Sequence, residues 1–388
     1  MKKIFIFAAA ALLVLGLSTS SWAVADFAIG GSARLDTGWQ LRDWGDQADG
    51  AYGVGGSEDS QTNFYLDNPG NGRVNFKATV DDVTGFFELG LGDTNVSIRH
   101  AYASWDMGGG QSLLFGHTWS IMAFGFTDQR LNFDNGNVGA GCLYFGRHPQ
   151  LRYTYAAETF TLQIALEDND TGVNPTAGVK YVETMIPAIV ASVEFSPMEM
   201  LTLTPSGFYQ MYDLTGVLPA TRDLDIDTYA LALDGRLNFE AFRISFEGWW
   251  GQNLGVAADA IDIRPGIVAG LPTVGFAAPV ANAAGTDVED VNAYGGFVQL
   301  TFPMETMLFN AGLGWQSADV ENSPSAAFED SQEVMSFFVN VLYNLTDNMY
   351  IQPEFSYFDY GDDATKNPGV GNDLGNDIFV GVHWQADF

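Results

Sequence analysis

The residues of this chain that could do chemistry are its cations, and they are scarce: 16 Lys and Arg stand against 48 Asp and Glu in 388 residues, a formal net charge of −32. Arg34 and Arg42, Arg73 and Lys77, Arg152, Arg236 and Arg243 each lie in a stretch where polar and apolar residues alternate, always among the polar set. Arg99 lies in a similar but less regular stretch. Successive side chains of a strand point to opposite faces of a sheet. A cation on the polar face can line an aqueous space, pair with carboxylates there (Asp36, Glu88, Asp234 and Glu247 share those faces), or hold an anion. Asp128, Arg130 and Asp134 sit in a long segment, Trp119 to Gly146, together with Ile121, Met122, Phe124, Phe126, Leu131 and Phe133. A loop in water has little use for so many large apolar groups. Packed against an inner wall, it would bury them and hold its charges across the enclosed space. The other arrangement open to it is an external loop in a subunit contact.

Other chemistries find no support. There is no G-x-S-x-G elbow, P-loop or H-E-x-x-H. The four His (100, 117, 148 and 383) are scattered, and one Cys, Cys142, rules out a disulfide framework and Cys-rich metal sites. Asp168 to Gly172 resembles half of a calcium loop without its later Glu. No catalytic residue, metal or cofactor is expected. The acidic balance excludes nucleic acid as a partner, since phosphate binding needs clustered Lys and Arg.

The elements that must position these residues are strands. Phe27, Ile29, Ala33, Leu35, Trp39 and Leu41 alternate with Ser32, Arg34, Asp36, Gln40 and Arg42. The same period recurs around Val74 to Val80, Phe160 to Leu166, Tyr229 to Phe239, Phe242 to Trp250, Phe309 to Trp315 and Ile378 to Phe388. Short turns alternate with long loops. Seven turns fall near Asp81, Asp106 to Gly110, Ala157, Ser196 to Met200, Glu240, Pro303 to Thr306 and Leu345 to Asn348. Eight loops run from Asp43 to Asn71, Gly92 to Asn95, Trp119 to Gly146, Asp168 to Gly178, Asp213 to Asp227, Gly251 to Val291, Ser317 to Gln332 and Gly361 to Asn376. Together they define about sixteen strands with both ends on the turn side, the arrangement of a bacterial transmembrane antiparallel up-and-down β-barrel. The predicted fold is all-β, with the third loop folded inward. Phe160, Phe195, Phe239, Phe242, Phe302 and Tyr343 would form an aromatic girdle beside the turns.

Lys2 and Lys3, the apolar run Ile4 to Leu17 and Ala23-Val24-Ala25 read as a secretory signal peptide over residues 1–25, cut after Ala25 with Ala23 the alternative. Residues 26–388 would then form the barrel. The ending Val380 to Phe388, with Val382, Trp384 and Phe388 in alternate positions, resembles the C-terminal insertion signal of outer-membrane barrels.

A narrower resemblance rests on three motifs in order: Arg99-His100-Ala101-Tyr102, Gly116-His117-Thr118-Trp119-Ser120, and Arg147-His148-Pro149-Gln150-Leu151-Arg152-Tyr153-Thr154. They are similar to the R-x-A-Y, G-Q-T-W-S and R-Q-P-Q-I-R-Y-T segments of DcaP-like trimeric porins of Gram-negative bacteria, with His117 and His148 replacing two family glutamines. The resemblance implies an outer-membrane homotrimer of barrels passing small organic anions such as dicarboxylates, in contact with lipid and lipopolysaccharide and inserted by the barrel assembly machinery. No N-terminal heptad segment is present, so a trimer would rest on barrel-wall contacts. In that setting the third loop and the inward Arg34, Arg73, Lys77, Arg99, Arg152, Arg236 and Arg243 would set selectivity with Asp128, Arg130 and Asp134. Two other readings stay open from the sequence: a barrel enzyme of lipase type, and a surface adhesin without a pore.

Overall fold

The polar residues of the alternating stretches are buried and the apolar ones exposed, the reverse of a soluble protein. In the computed structural model Ile29 is 60% exposed and Leu66 66%, while Asp36 is 3% and Glu247 6% exposed. An apolar outer surface of this extent belongs in lipid, where backbone groups are all satisfied only if the sheet closes on itself. The structure describes residues 26–45, 60–69, 71–92, 95–122, 125–134, 136–168, 181–217, 222–254, 258, 280–281, 288–320, 331–362 and 373–388. The expected signal peptide, with Ala23 and Ala25, and residues 169–172 of the half calcium loop lie outside them, as does Phe124.

Sixteen antiparallel strands form one closed barrel. In chain order they are β1 Asp26–Asp43, β2 in two segments Ser60–Asp67 and Gly72–Val80, β3 Val83–Leu91, β4 Val96–Gly108, β5 Gln111–Trp119, β6 Arg147–Ala156, β7 Phe160–Glu167, and β8 in two segments Tyr181–Glu183 and Ala188–Met198. There follow β9 Leu201–Val217, β10 Arg222–Asn238, β11 Arg243–Gln252, β12 Val291–Pro303, β13 Met307–Val320, β14 Ser331–Thr346, β15 Met349–Asp359 and β16 Asn376–Asp387. The barrel closes where β1 meets β16, from Ser32 opposite Asp387 to Asp43 opposite Asn376. The C-terminal carbonyl of Phe388 also accepts a hydrogen bond from Gly31 N–H at 2.8 Å. Among the described residues no helix is long and apolar enough to cross a membrane.

Two expected loops are shorter than the sequence suggested. The loop expected over Asp43 to Asn71 contains the first segment of β2, which pairs residue by residue with Asp36–Asp43 of β1. The loop expected over Asp213 to Asp227 is mostly strand, because β9 and β10 stay paired out to Leu214 opposite Leu224. Arg99 sits at a register shift between Glu88 and Leu89 of β3, a bulge that explains the irregular alternation there. The expected girdle positions Phe160, Phe239, Phe302 and Tyr343 are all exposed, and Phe239 stacks on Phe242 at 4.6 Å.

Candidate permeation site

β5 and β6 are short, and the segment between them turns into the barrel. Its apolar residues explain why. Ile121, Met122, Leu143 and Phe145 are buried against Val190, Phe208, Ala230 and Trp249 of the inner wall. Leu131 and Ala140 pack against Val334, Phe358 and Phe379. Burying each such side chain contributes roughly 1.5–3 kcal/mol, enough to hold a tongue of chain along the wall from β7 round to β1. The wall makes room with glycine. A methyl group added to Gly314 would sit 2.0 Å from the carbonyl oxygen of Ala140. Gly141, at φ +128°, lies against Gly296 and Gly314.

Wall carboxylates and amides then fasten the tongue by its backbone. Glu167 accepts the N–H of Ile121 at 3.2 Å, and Glu247 that of Leu143 at 2.6 Å. Gln299 accepts from Asp128 N–H at 2.7 Å, while Asn340 and Gln352 donate to the Asp128 carbonyl at 2.8 and 2.7 Å. Glu354 accepts the N–H groups of both Arg130 and Leu131 at 2.8 Å. These bonds open the single helical turn α1, Leu131–Asp134, and aim Asp134 at Arg34 of β1, two strands along the wall from Glu354.

The tip of the tongue carries the charges. Asp134 meets Arg34 of β1 in direct contact, Arg130 at 2.6 Å, and Asn71 at 3.2 Å. Asn71 accepts from Arg99 at 2.9 Å; Arg99 pairs with Glu88 at 2.9 Å, and Arg73 stands 3.8 Å from the same carboxylate. Arg130 also lies 3.7 Å from Asp128, which lies 3.9 Å from Arg243. Five guanidinium groups thus share ion pairs with three carboxylates, Glu88, Asp128 and Asp134; with the Glu354 carboxylate that holds the N–H groups of Arg130 and Leu131, the connected cluster has one formal positive charge in excess.

The structure gathers Arg34, Arg73, Arg99, Asp128, Arg130, Asp134 and Arg243 into that cluster and leaves the other expected positions outside it. Arg152 donates to the Trp119 carbonyl and, at 2.8 Å, to Gln150. Lys77 and Arg236 are exposed on inward positions of β2 and β10. Val382, Trp384 and Phe388 lie on or beside β16, with Trp384 and Phe388 exposed. His148 meets the Phe145 carbonyl and His100 the Thr118 hydroxyl at 2.9 Å, while His117 stands opposite Ala101, next to His100, on the neighbouring strand. Cys142 is fully buried, and burial pushes its thiol pKa up.

The sequence reading did not single out Glu354, Asn71, Asn340 or Gln299. Glu354 was within reach: it is a carboxylate on the polar face of an alternating stretch, the same signal that marked Asp234 and Glu247.

A closed barrel with a lipid-compatible outside, a polar inside and an inward tongue defines a passage for hydrophilic solutes through an outer membrane. The Gram-negative porin family model matches residues 8–363, so the chain belongs to the Gram-negative porin family. No curated protein matches it. Among solved structures it is similar to the outer membrane channel DcaP of Acinetobacter baumannii (17% identity, 94% of this chain and 97% of that chain, TM-score 0.67). It is also similar to an anion-selective porin from Comamonas acidovorans (12%, 94% and 100%, TM-score 0.58) and to OmpT of Vibrio cholerae (12%, 93% and 97%, TM-score 0.56). The protein is an outer-membrane diffusion channel. Family membership sets aside the lipase-like enzyme and the adhesin without a pore.

Proposed function

We propose that this porin favours small organic anions such as dicarboxylates, and that the third-loop tongue with the inward cations sets the preference. The carrying observation is the set of five guanidinium groups gathered at the tongue tip, in excess of the carboxylates bonded among them. Low-dielectric walls focus such a field on the narrowed lumen, so the acidic balance of the whole chain does not decide the sign there. The name of the Comamonas protein, an anion-selective porin of similar fold, agrees. The homotrimer, contact with lipopolysaccharide, insertion by barrel assembly machinery reading Val382, Trp384 and Phe388, and signal removal after Ala25 belong to the same reading. They rest on the family resemblance and the sequence.

Reversal potentials across planar bilayers in a potassium chloride gradient test the preference. The expected sign is that of chloride selectivity. A unit charge about 7 Å from the ion path changes a univalent ion's energy by about 0.6 kcal/mol in a water-like dielectric, a roughly threefold effect. Arg34→Gln with Arg73→Gln should therefore change the permeability of each ion by up to about sevenfold, in opposite senses, and shift their ratio by up to about fiftyfold toward cations. A reversal potential of cationic sign in the unmodified protein overturns the proposal.

A further inference from the structure

A second feature of the lumen lies beside the tongue rather than at its tip. Below Phe126 and Asp128, the inner wall of β8 to β12 encloses a pocket of about 260 Å³. Its lining carries both signs of charge: Glu194, Asp234 and, from the tongue, Asp128, against Arg236 and Arg243. Asp234 and Arg236 are on the same face of β10, two residues apart and so about 6.6 Å along the strand. Asp234 stands opposite Glu247, whereas Arg236 stands opposite Ser245 and Arg243 lies at the start of β11. The acids therefore occupy one level of the wall and the arginines the next toward the turns.

These charges are only partly satisfied by one another: Arg236 attracts Asp234 along the strand without reaching ion-pair distance, and Asp234 also faces the Glu247 carboxyl. Among the described residues, Glu194 and Arg236 make no hydrogen bond and no ion pair within 4.0 Å. Arg243 reaches only Asp128, at 3.9 Å, and its Nε is buried without a partner. A simple anion in this pocket meets the carboxylates, and a simple cation meets the guanidinium groups. A neutral solute displaces water from both sets without replacing their interactions. A solute with one charge of each sign, separated by a few carbons, satisfies both levels. Phe126, 40% exposed, offers an apolar side for the carbons between.

We propose that the pocket binds zwitterionic amino carboxylates with a short methylene chain, the ammonium group toward Glu194 and Asp234 and the carboxylate toward Arg236 and Arg243. The inference needs the open channel but not its anion preference, and it adds a solute class that the tip cluster does not select.

Single-channel recording of the purified full barrel tests it with 4-aminobutanoate, butanoate and butylammonium. The expected result is that 4-aminobutanoate interrupts the current with a half-effect near 1–10 mM, the range of a weak small-solute site. The two singly charged compounds should be at least about tenfold weaker. Glu194→Gln and Arg236→Gln should each raise the half-effect concentration of 4-aminobutanoate about tenfold, the consequence of losing one charged hydrogen bond. Butanoate as effective as 4-aminobutanoate would make the pocket a plain anion site and overturn the proposal. So would half-effects unmoved in both variants, or an open channel that none of the three interrupts. A barrel that conducts nothing at all would overturn the channel assignment as well.

Discussion

Glu354→Ala should free the third-loop tongue while leaving the barrel closed. The Glu354 carboxylate is fully buried behind the tongue and accepts four donors: the N–H groups of Arg130 and Leu131 at 2.8 Å, Asn340 Nδ2 at 2.9 Å and the Ser356 hydroxyl at 2.7 Å. A buried donor left without a partner costs about 1–3 kcal/mol. Several such losses together exceed what one helical turn can absorb in place. The cheapest relief is for residues 128–134 to leave the wall and take water as their partner. The contact of Asp134 with Arg34 then breaks, and the tip cluster loses its geometry. Single-channel current should become larger and noisier, and ion selectivity should weaken. Migration of the unheated protein as a compact band should persist. Glu354→Gln keeps one acceptor oxygen but turns an amide N–H₂ toward the same donors, so its effect should be of the same kind and smaller. Unchanged conductance, noise and selectivity in Glu354→Ala would show that the tongue is held without this carboxylate.

The second large effect concerns the outer face. Leu233, 42% exposed, lies on β10 six residues before the turn that begins at Phe239. With strands tilted about 40°, that is about 15 Å above the turn, near the middle of an apolar band about 25 Å tall. Leu233→Arg should destabilise the folded barrel by about 2–4 kcal/mol, read as a lower urea midpoint for unfolding in lipid vesicles. Arg236→Leu, three residues away on the inward face, should show no loss of this size. Equal effects of the two would deny that the faces meet different solvents.

These contrasts were legible in the sequence wherever the outer face is in lipid. Period-two alternation marks a strand only while its two faces meet different media, and β10 shows where that holds. Along Tyr229, Leu231 and Leu233 the outward set is apolar. Past Tyr229 the strand continues, but the outward set becomes Asp227, Asp225 and Asp223, while Leu224 and Ile226 turn inward onto Tyr212 and Leu214. The faces have exchanged polarity because the hairpin has left the bilayer, and the acidic run read as a loop. The first segment of β2 was missed for a related reason: Phe64 and Leu66 are its only large apolar outward residues, too few to stand out beside a Gly- and Asp-rich loop.

The inward course of the third loop was legible from its own residues, since Ile121, Met122, Leu131 and Leu143 had to be buried somewhere. Its fastenings were not. Asp128 with Gln299 and Leu131 with Glu354 join positions 171 and 223 residues apart, and only closure of the barrel brings them together. For the same reason the alternation could place Arg34 on an inward face but could not pair it with Asp134, 100 residues on.

The most direct test compares two single cysteines on one strand, Leu233→Cys and Arg236→Cys, in a background where the buried Cys142 is replaced by alanine. A membrane-impermeant charged thiol reagent should react with the cysteine at 236 and step the single-channel current down, and should leave the cysteine at 233 untouched. A lipid-soluble maleimide should modify the cysteine at 233. Reaction of the impermeant reagent at 233 with no effect at 236 would place water outside and not within, and would contradict the channel.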